Sequence, residues 1–221
     1  MNTAEMIKGL AREATRVKRP PRPLVMFLTW SAIGGFYLAA GILLIGTRSD
    51  LALVWHRSGF LIHTLMVLGV TVLAAAAAFV MSIPNRQSPW TMWIPAIALG
   101  AWLVWLASAL VAAGDPHAGQ GLKCVRNIAV LGVPIGALMY RLIVTAAPLR
   151  TSAAGWLASL SAFAAGDLAT RFICRHDQAL HALVWHFVPV LVMGGTGVVL
   201  GKVLLCWQGA HSRRAEIIDA P

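Results

Sequence analysis

The 221-residue chain is strongly apolar: 58% of its residues are hydrophobic, 12% are charged and the mean hydropathy is +0.74. Soluble domains carry about 25% charged residues, so this composition excludes an ordinary globular enzyme and indicates an integral membrane protein. The net charge of +10 leaves nucleic acid and the membrane open as partners until the basic residues are placed along the chain.

The first predicted element is a short helix in the segment 1–23. Apolar Met6, Ile7, Leu10 and Val17 recur at helical spacing among basic residues, which predicts an amphipathic helix. Three prolines then end the helix before the first apolar stretch. Two roles fit this pattern: a basic helix that lies on anionic lipid, or a helix presented to a groove in a cytoplasmic partner.

Six predominantly apolar stretches follow, and each has about the 20 residues that an α-helix needs to cross a bilayer. They are Leu24–Gly46, Phe60–Ile83, Met92–Ala113, Val125–Ile143, Ala153–Ile173 and Leu183–Leu205. Because an open sheet cannot satisfy its backbone in lipid, the pattern predicts an all-α integral membrane bundle of six transmembrane helices. The predicted units are a cytoplasmic segment 1–23, a transmembrane domain 24–205 and a cytoplasmic tail 206–221.

The positions of the basic residues predict the orientation. Twelve of the 18 Lys and Arg residues fall on the side that holds both termini, and six of them precede the first span. Cytoplasmic loops carry an excess of Lys and Arg, so we expect both termini in the cytoplasm. The positive charge is then explained by topology, and direct binding of nucleic acid is not expected.

Cysteines and histidines gather at the predicted outer face, where Cys124 and Cys174 lie with six of the seven histidines. Three interpretations stay open. The two thiols could form a disulfide, because the outer face of a bacterial membrane is oxidising. They could bind a soft metal ion, with His176 and with His181 or His117 completing the ligands. They could also be small buried residues beside interfacial histidines. A haem held by His63 and His186, which lie at similar depth on different spans, is a further and less favoured interpretation.

Two charged residues fall inside the fifth predicted span. Asp167 and Arg171 are four residues apart, so they share one helix face and can pair. Intramembrane charges normally face the bundle rather than lipid. An ion or proton relay is one interpretation, but the other spans have no acidic residues. A structural ion pair that fixes helix packing is therefore favoured.

Short motifs recur in order along the whole chain. They are Glu5-Met6-Ile7, Leu10-Ala11 and Val17, then Arg48-Ser49-Asp50-Leu51, Cys124 and Pro134, then Ala147-Pro148, Gly155, Cys174, Trp185-His186, Gly197 and Gly201. In this order and spacing the chain resembles the six-span membrane anti-sigma factors related to NrsF, the negative regulator of sigma F.

The resemblance implies a regulator rather than an enzyme. Such a protein holds an extracytoplasmic-function (ECF) sigma factor at the bacterial inner membrane and releases it under oxidative or heavy-metal stress. By position, Cys124 and Cys174 would be the sensor cysteines. The residues that contact the sigma factor would be Met6, Ile7, Leu10 and Val17.

Two alternatives from other functional classes remain, a membrane thiol oxidoreductase working with quinone and a small transporter. The first is less favoured because the chain has no Cys-x-x-Cys pair. The second is less favoured because the predicted spans have apolar centres, whereas transporters usually carry polar or broken helices there.

Overall fold

The computed structural model describes residues 3–13, 22–83, 88–113, 118–146 and 148–205, and every regular element within these ranges is helical. The helices are α1 Thr3–Glu13, α2 Pro23–Ile45, α3 Leu51–Val54, α4 Ser58–Met81, α5 Trp90–Ala113, α6 Leu122–Val144, α7 Thr151–Arg171, α8 Ala179–Ala182 and α9 Val188–Leu204. A π-helical turn, Leu183–Phe187, joins α8 to α9. The predicted all-α class is confirmed for the described residues.

Five helical stretches are long and apolar enough to cross a membrane: α2, α4, α5, α6 and the run Ala179–Leu204. They correspond to the first four predicted spans and the sixth. Large apolar side chains cover their outward surfaces, such as Leu44 on α2, which is 88% exposed, and Val111 on α5, which is 86% exposed. An apolar exterior of this extent is typical of a surface that contacts lipid.

The fifth predicted span corresponds to α7, which is less apolar than the others. Its 21 residues extend about 31 Å, close to the thickness of the hydrocarbon core. Most of these residues are buried, and many are Ala, Gly or Ser. Because α7 packs against α4, α6 and α9, it lies at the centre of the bundle and contacts protein on most sides. A helix in that position needs no lipid-facing exterior, and the passage of α7 across the membrane stays a prediction.

Glycines allow α7 and α9 to approach closely. A Cβ atom added to Gly155 of α7 would lie 2.5 Å from the Cα of Gly201, and it would also meet the carbonyl oxygen of Gly197. Helices in membranes commonly pack through such small residues. The Tyr140 hydroxyl on α6 donates a hydrogen bond of 3.0 Å to the Gly155 carbonyl, so the contact includes a third helix.

Helix α2 is held more loosely. Among its residues only Met26, Trp30 and Gly34 are buried. The Trp30 indole donates a hydrogen bond of 3.2 Å to the carbonyl of Ile135 on α6. Phe27, Tyr37 and Leu38 are partly buried against the core, and the Tyr37 hydroxyl donates a hydrogen bond of 3.0 Å to the Val130 carbonyl.

Candidate metal and redox site at one end of the bundle

Four buried side chains from separate elements converge at one end of the bundle. Cys124 lies in the first turn of α6, Cys174 follows the end of α7, His181 lies in α8 and His186 lies in the π-helical turn. One candidate ligand atom from each residue lies within 4.8 Å of the other three. We refer to these four residues as the Cys2His2 cluster.

The two thiols of the cluster are in contact without being bonded. Their sulfur atoms are 3.4 Å apart, whereas a disulfide requires about 2.05 Å. The Cys124 thiol donates to the Cys174 sulfur, and this hydrogen bond lowers the pKa of the Cys174 thiol. Both side chains are buried, at 7% and 6% exposure. The distance between the two sulfur atoms allows the thiols either to form a disulfide bond or to ligate one metal ion together.

His181 faces both sulfur atoms. Its Nδ1 lies 2.8 Å from the Ala118 carbonyl oxygen, which can only accept a hydrogen bond, so Nδ1 carries the proton. The lone pair is then on Nε2, which lies 3.5 Å from the Cys174 sulfur and 3.7 Å from the Cys124 sulfur. The imidazole is therefore oriented as a ligand or as a proton acceptor for the thiols.

His186 is oriented in the same way by a carboxylate. Its Nδ1 lies 2.6 Å from Asp167 Oδ1, and both side chains are fully buried. The Nε2 atom of His186 has no hydrogen-bond partner among the described residues. A ligating histidine usually donates its other ring N–H to a carboxylate or a carbonyl oxygen, and both histidines of the cluster show this pattern.

The π-helical turn explains why two histidines five residues apart share one side. In an α-helix, residues at this spacing point about 140° apart, because each residue advances about 100°. A π-helix closes its hydrogen bonds from i to i+5, which brings such residues nearer to one line. The ring centroids of His181 and His186 are accordingly 5.4 Å apart.

His176 was predicted from the sequence as a ligand of a soft metal ion, whereas His186 was not. In the structure His176 is exposed, and its Nδ1 lies 4.0 Å from the Cys174 sulfur. Its ring stacks on His181 with centroids 4.7 Å apart, so it lies at the edge of the cluster. His117, the other histidine considered, lies outside the described residues.

The predicted ion pair between Asp167 and Arg171 is replaced by two others. Asp167 pairs with His186, and Arg171 donates through Nη2 to Asp177 at 3.3 Å. The i, i+4 spacing places the two residues on one helix face, but each meets a nearer partner from a neighbouring segment. The Arg171 guanidinium also lies 5.2 Å from the ring centroid of Phe60, where a cation–π interaction stabilises it.

A second arginine joins the loop after α2 to the loop that holds Cys174. Arg48 is 2% exposed and donates to Asp50 at 2.8 and 3.0 Å and to Asp177 at 2.9 and 2.8 Å. Its backbone N–H donates to the Phe172 carbonyl at 2.9 Å. Hydrogen bonds to the two carboxylates raise the pKa of Arg48, and the hydrogen bond from Arg48 lowers the pKa of Asp50 to about 2. We call this set of contacts the Arg48 clamp.

The predicted partner-binding residues lie far along the chain from this cluster. Met6 and Ile7 are on α1, with 48% and 59% of their surfaces exposed. Leu10 belongs to the same helix, and Val17 lies outside the described residues.

Comparison with known proteins identifies the family. Residues 10–207 match the family described as "negative regulator of sigma F". The chain belongs to this NrsF family. A relative from Azospira oryzae, named "probable anti-sigma-F factor NrsF", is 29% identical over 227 residues, which cover 94% of this chain and all of the relative. No solved structure matches the chain.

Membership in the NrsF family confirms the resemblance seen in the sequence. The family is described as negative regulators of a sigma factor, which places the chain among regulators of transcription. The relative is also named as a regulator and not as an enzyme. This assignment favours the regulatory interpretation over the thiol oxidoreductase and the transporter.

Proposed function

We propose that the protein is a membrane-bound anti-sigma factor that holds an ECF sigma factor at the bacterial inner membrane. In this proposal the N-terminal segment 1–23 binds the sigma factor in the cytoplasm. Oxidative or heavy-metal stress, sensed by Cys124 and Cys174 at the outer face, causes its release. Membership in the NrsF family supports the class of function, and the contact between the two sulfur atoms is the observation that carries the sensing step.

The N-terminal segment has the features of a helix that docks into a groove. Helix α1 carries Met6 and Ile7, two large apolar side chains that are about half exposed. Amphipathic helices bind grooves by burying residues at this spacing, and Leu10 continues the same stripe. A sigma factor covered in this way could not present the same surface to RNA polymerase.

The sensing step is a thiol oxidation. The sulfur atoms of Cys124 and Cys174 must move together by about 1.4 Å, from 3.4 Å to the length of a disulfide bond. As the S–S bond forms, the two thiols lose two protons and two electrons. Hydrogen peroxide accepts them, its O–O bond breaks and two molecules of water form. The oxidised pair then fixes the start of α6 to the loop after α7.

The proposed topology places this pair outside the cytoplasm. Six spans with both termini in the cytoplasm would put the start of α6 and the end of α7 at the outer face. The length of α7 and its burial within the bundle support its role as the fifth of six spans. The excess of basic residues before the first span supports a cytoplasmic N-terminus.

Binding of the sigma factor is tested with the full-length protein in lipid nanodiscs and the ECF sigma factors of the same genome. We expect one of them to bind and Ile7→Asp to weaken binding roughly tenfold or more, the effect typical of an apolar anchor. Gly9→Asp is the matched control, because it adds the same charge about 160° around α1 from Ile7, at a position where a Cβ would meet nothing within 4 Å. Failure of every sigma factor to bind, or equal loss in both variants, would contradict the proposal.

Sensing is tested with a reporter gene under a promoter that the bound sigma factor recognises. Wild-type cells should induce the reporter on treatment with peroxide. Cys124→Ser and Cys174→Ser should abolish that induction while sigma-factor binding is retained. Cys206→Ser is the control, since Cys206 lies at the other end of the predicted sixth span. Normal induction in the two outer-face variants would show that these thiols are structural.

A further inference from the structure

We propose that the Cys2His2 cluster is a binding site for one Zn²⁺ ion, ligated by the sulfur atoms of Cys124 and Cys174 and the Nε2 atoms of His181 and His186. The site differs from the ligand set expected from sequence spacing, because His186 takes the place of His176. Its use as a switch rests on the proposed function, whereas binding of the metal ion does not.

The distances match a tetrahedral ion. Zinc binds sulfur at about 2.3 Å and imidazole nitrogen at about 2.0–2.1 Å, so the ligand atoms of a tetrahedral site lie roughly 3.3–3.8 Å apart. The two sulfur atoms are 3.4 Å apart, and Nε2 of His181 lies 3.5 and 3.7 Å from them. The two S···N separations therefore already have about the tetrahedral length, and the S···S separation is roughly 0.4 Å shorter than two Zn–S bonds require. The fourth ligand atom is within 4.8 Å of the rest.

The groups behind the histidines prepare each ring for the metal. Ala118 accepts the Nδ1 proton of His181, and Asp167 accepts the Nδ1 proton of His186. Each ring is thereby held as the tautomer with its lone pair on Nε2. In His186 this atom is buried and lacks a hydrogen-bond partner in the part of the chain that the structure describes. A metal ion would satisfy a polar atom whose burial is otherwise costly.

The ligand chemistry favours zinc over harder ions. Two thiolates and two neutral imidazoles form one of the common tetrahedral zinc sites, whereas Mg²⁺ and Ca²⁺ prefer oxygen. Two thiolates also cancel the charge of a divalent cation, and a neutral centre suits a site in which all four residues are buried. Because the protein supplies all four ligands, the site is of the structural kind and leaves no position open for a substrate.

Zinc at this position would make the proposed sensor a metal-release switch. Hydrogen peroxide takes two electrons from the two thiolates, and its O–O bond breaks to leave two hydroxide ions, which two solvent protons convert to water. As the S–S bond forms, both Zn–S bonds break and Zn²⁺ leaves the site. A softer, thiophilic heavy-metal ion could displace zinc from the same ligands without oxidation, since thiolates favour soft ions. Both forms of stress would then act on one centre.

The test measures metal content in the full-length protein, purified in detergent under reducing conditions and supplied with Zn²⁺. We expect about one tightly bound Zn²⁺ per chain, and a single addition of peroxide should release it as the free thiols disappear. Replacement of Zn²⁺ by Co²⁺ should give the visible absorption of tetrahedral cobalt with thiolate ligands. These measurements use the wild-type protein and need no variant to fold.

Variants then identify the ligands. Cys124→Ser and His186→Ala should lower the zinc content to near zero, whereas His56→Ala, a change at an exposed histidine, should leave it unchanged. A wild-type protein that binds neither Zn²⁺ nor Co²⁺ would overturn the inference, as would a His186→Ala variant that keeps its zinc and its cobalt spectrum. Sigma-factor binding by such a metal-free protein would leave the proposed function intact, so the two failures can be told apart.

Discussion

His186 donates its Nδ1 proton to Asp167 across 2.6 Å, and neither side chain reaches solvent. The second oxygen of Asp167 has no hydrogen-bond partner within the described ranges. The carboxylate therefore interacts chiefly with the imidazole, and its position fixes the tautomer and the direction of the ring. Asp167 is a positioning residue for the Cys2His2 cluster.

Replacing this carboxylate should weaken metal binding without abolishing it. In Asp167→Asn the amide oxygen can still accept the Nδ1 proton, but the charge that increases the basicity of Nε2 is lost. Changes of this kind behind a ligand typically cost about 10- to 100-fold in metal affinity. The affinity for Zn²⁺ is measured by competition with a chromophoric chelator, and the number of ions per chain at saturation should stay the same. Asp50→Asn is the control, and equal affinities in the two variants would contradict the assignment.

Asp177 should contribute more to stability than Asp50, although both contact Arg48. Asp177 also accepts a hydrogen bond from Arg171, whose guanidinium is 1% exposed. Asp177→Asn removes the charge facing both buried arginines, and leaving a buried charge without its partner costs roughly 3 kcal/mol. Thermal unfolding in detergent should show a clearly larger decrease in Tm for Asp177→Asn than for Asp50→Asn. Similar decreases would mean that Arg171 does not depend on this carboxylate.

The ion pair of Asp50 should persist across the physiological pH range. Its pKa is lowered from 3.8 to about 2, with the hydrogen bond from Arg48 as the largest cause and the charge of Arg175 as a smaller one. A lowered pKa means that the stabilisation is fully present above pH 3.8 and is lost as the pH falls through about 2. The difference in Tm between the wild type and Asp50→Asn should therefore be constant from pH 8 to about pH 5 and decrease at lower pH. If the difference in Tm became smaller between pH 7 and pH 5, a group other than Asp50 would be responsible for the pH dependence.

The contact between α7 and α9 should tolerate no added methyl group. In Gly197→Ala the new Cβ would lie 2.6 Å from the Cβ of Ser159 and would meet the Gly155 carbonyl oxygen, so two backbones must separate. Overpacking of this kind typically costs about 1–3 kcal/mol. Gly195→Ala on the same helix is the matched control, because its Cβ would meet nothing within 4 Å. We expect a lower Tm only for Gly197→Ala.

Sequence patterns were sufficient to predict the helices whose outward surfaces are apolar. Long apolar stretches predicted α2, α4, α5, α6 and α9 to within a few residues, because a lipid-facing helix must carry apolar side chains. Helix α7 carries a weaker apolar signal because protein surrounds it. Its small residues and its two buried charges, Asp167 and Arg171, match the neighbouring helices, which a single sequence does not display.

The site was only partly predictable for a similar reason. The two cysteines were found because of their position at span ends, and His181 because it follows Cys174 closely. His186 was missed as a ligand because α-helical spacing places it on a different face from His181. The π-helical turn brings His186 to the same side as His181, and no simple sequence pattern predicts such a turn. Asp167 was predicted to pair with Arg171 because i, i+4 spacing indicates only pairs within one helix. Partners from other segments, such as His186, cannot be inferred from it.

The Arg48 clamp has a mechanical consequence. One end of α2 leads back toward the segment proposed to bind the sigma factor, and its other end is joined through Arg48 to the loop that carries Cys174. Between these ends α2 is a continuous helix of 23 residues with few buried side chains. A continuous helix with few buried side chains can move as a rigid unit. A displacement at one of its ends then also displaces the other end. In the proposed topology, a change at the sulfur atoms would therefore reach the cytoplasmic end of α2 through the Arg48 clamp.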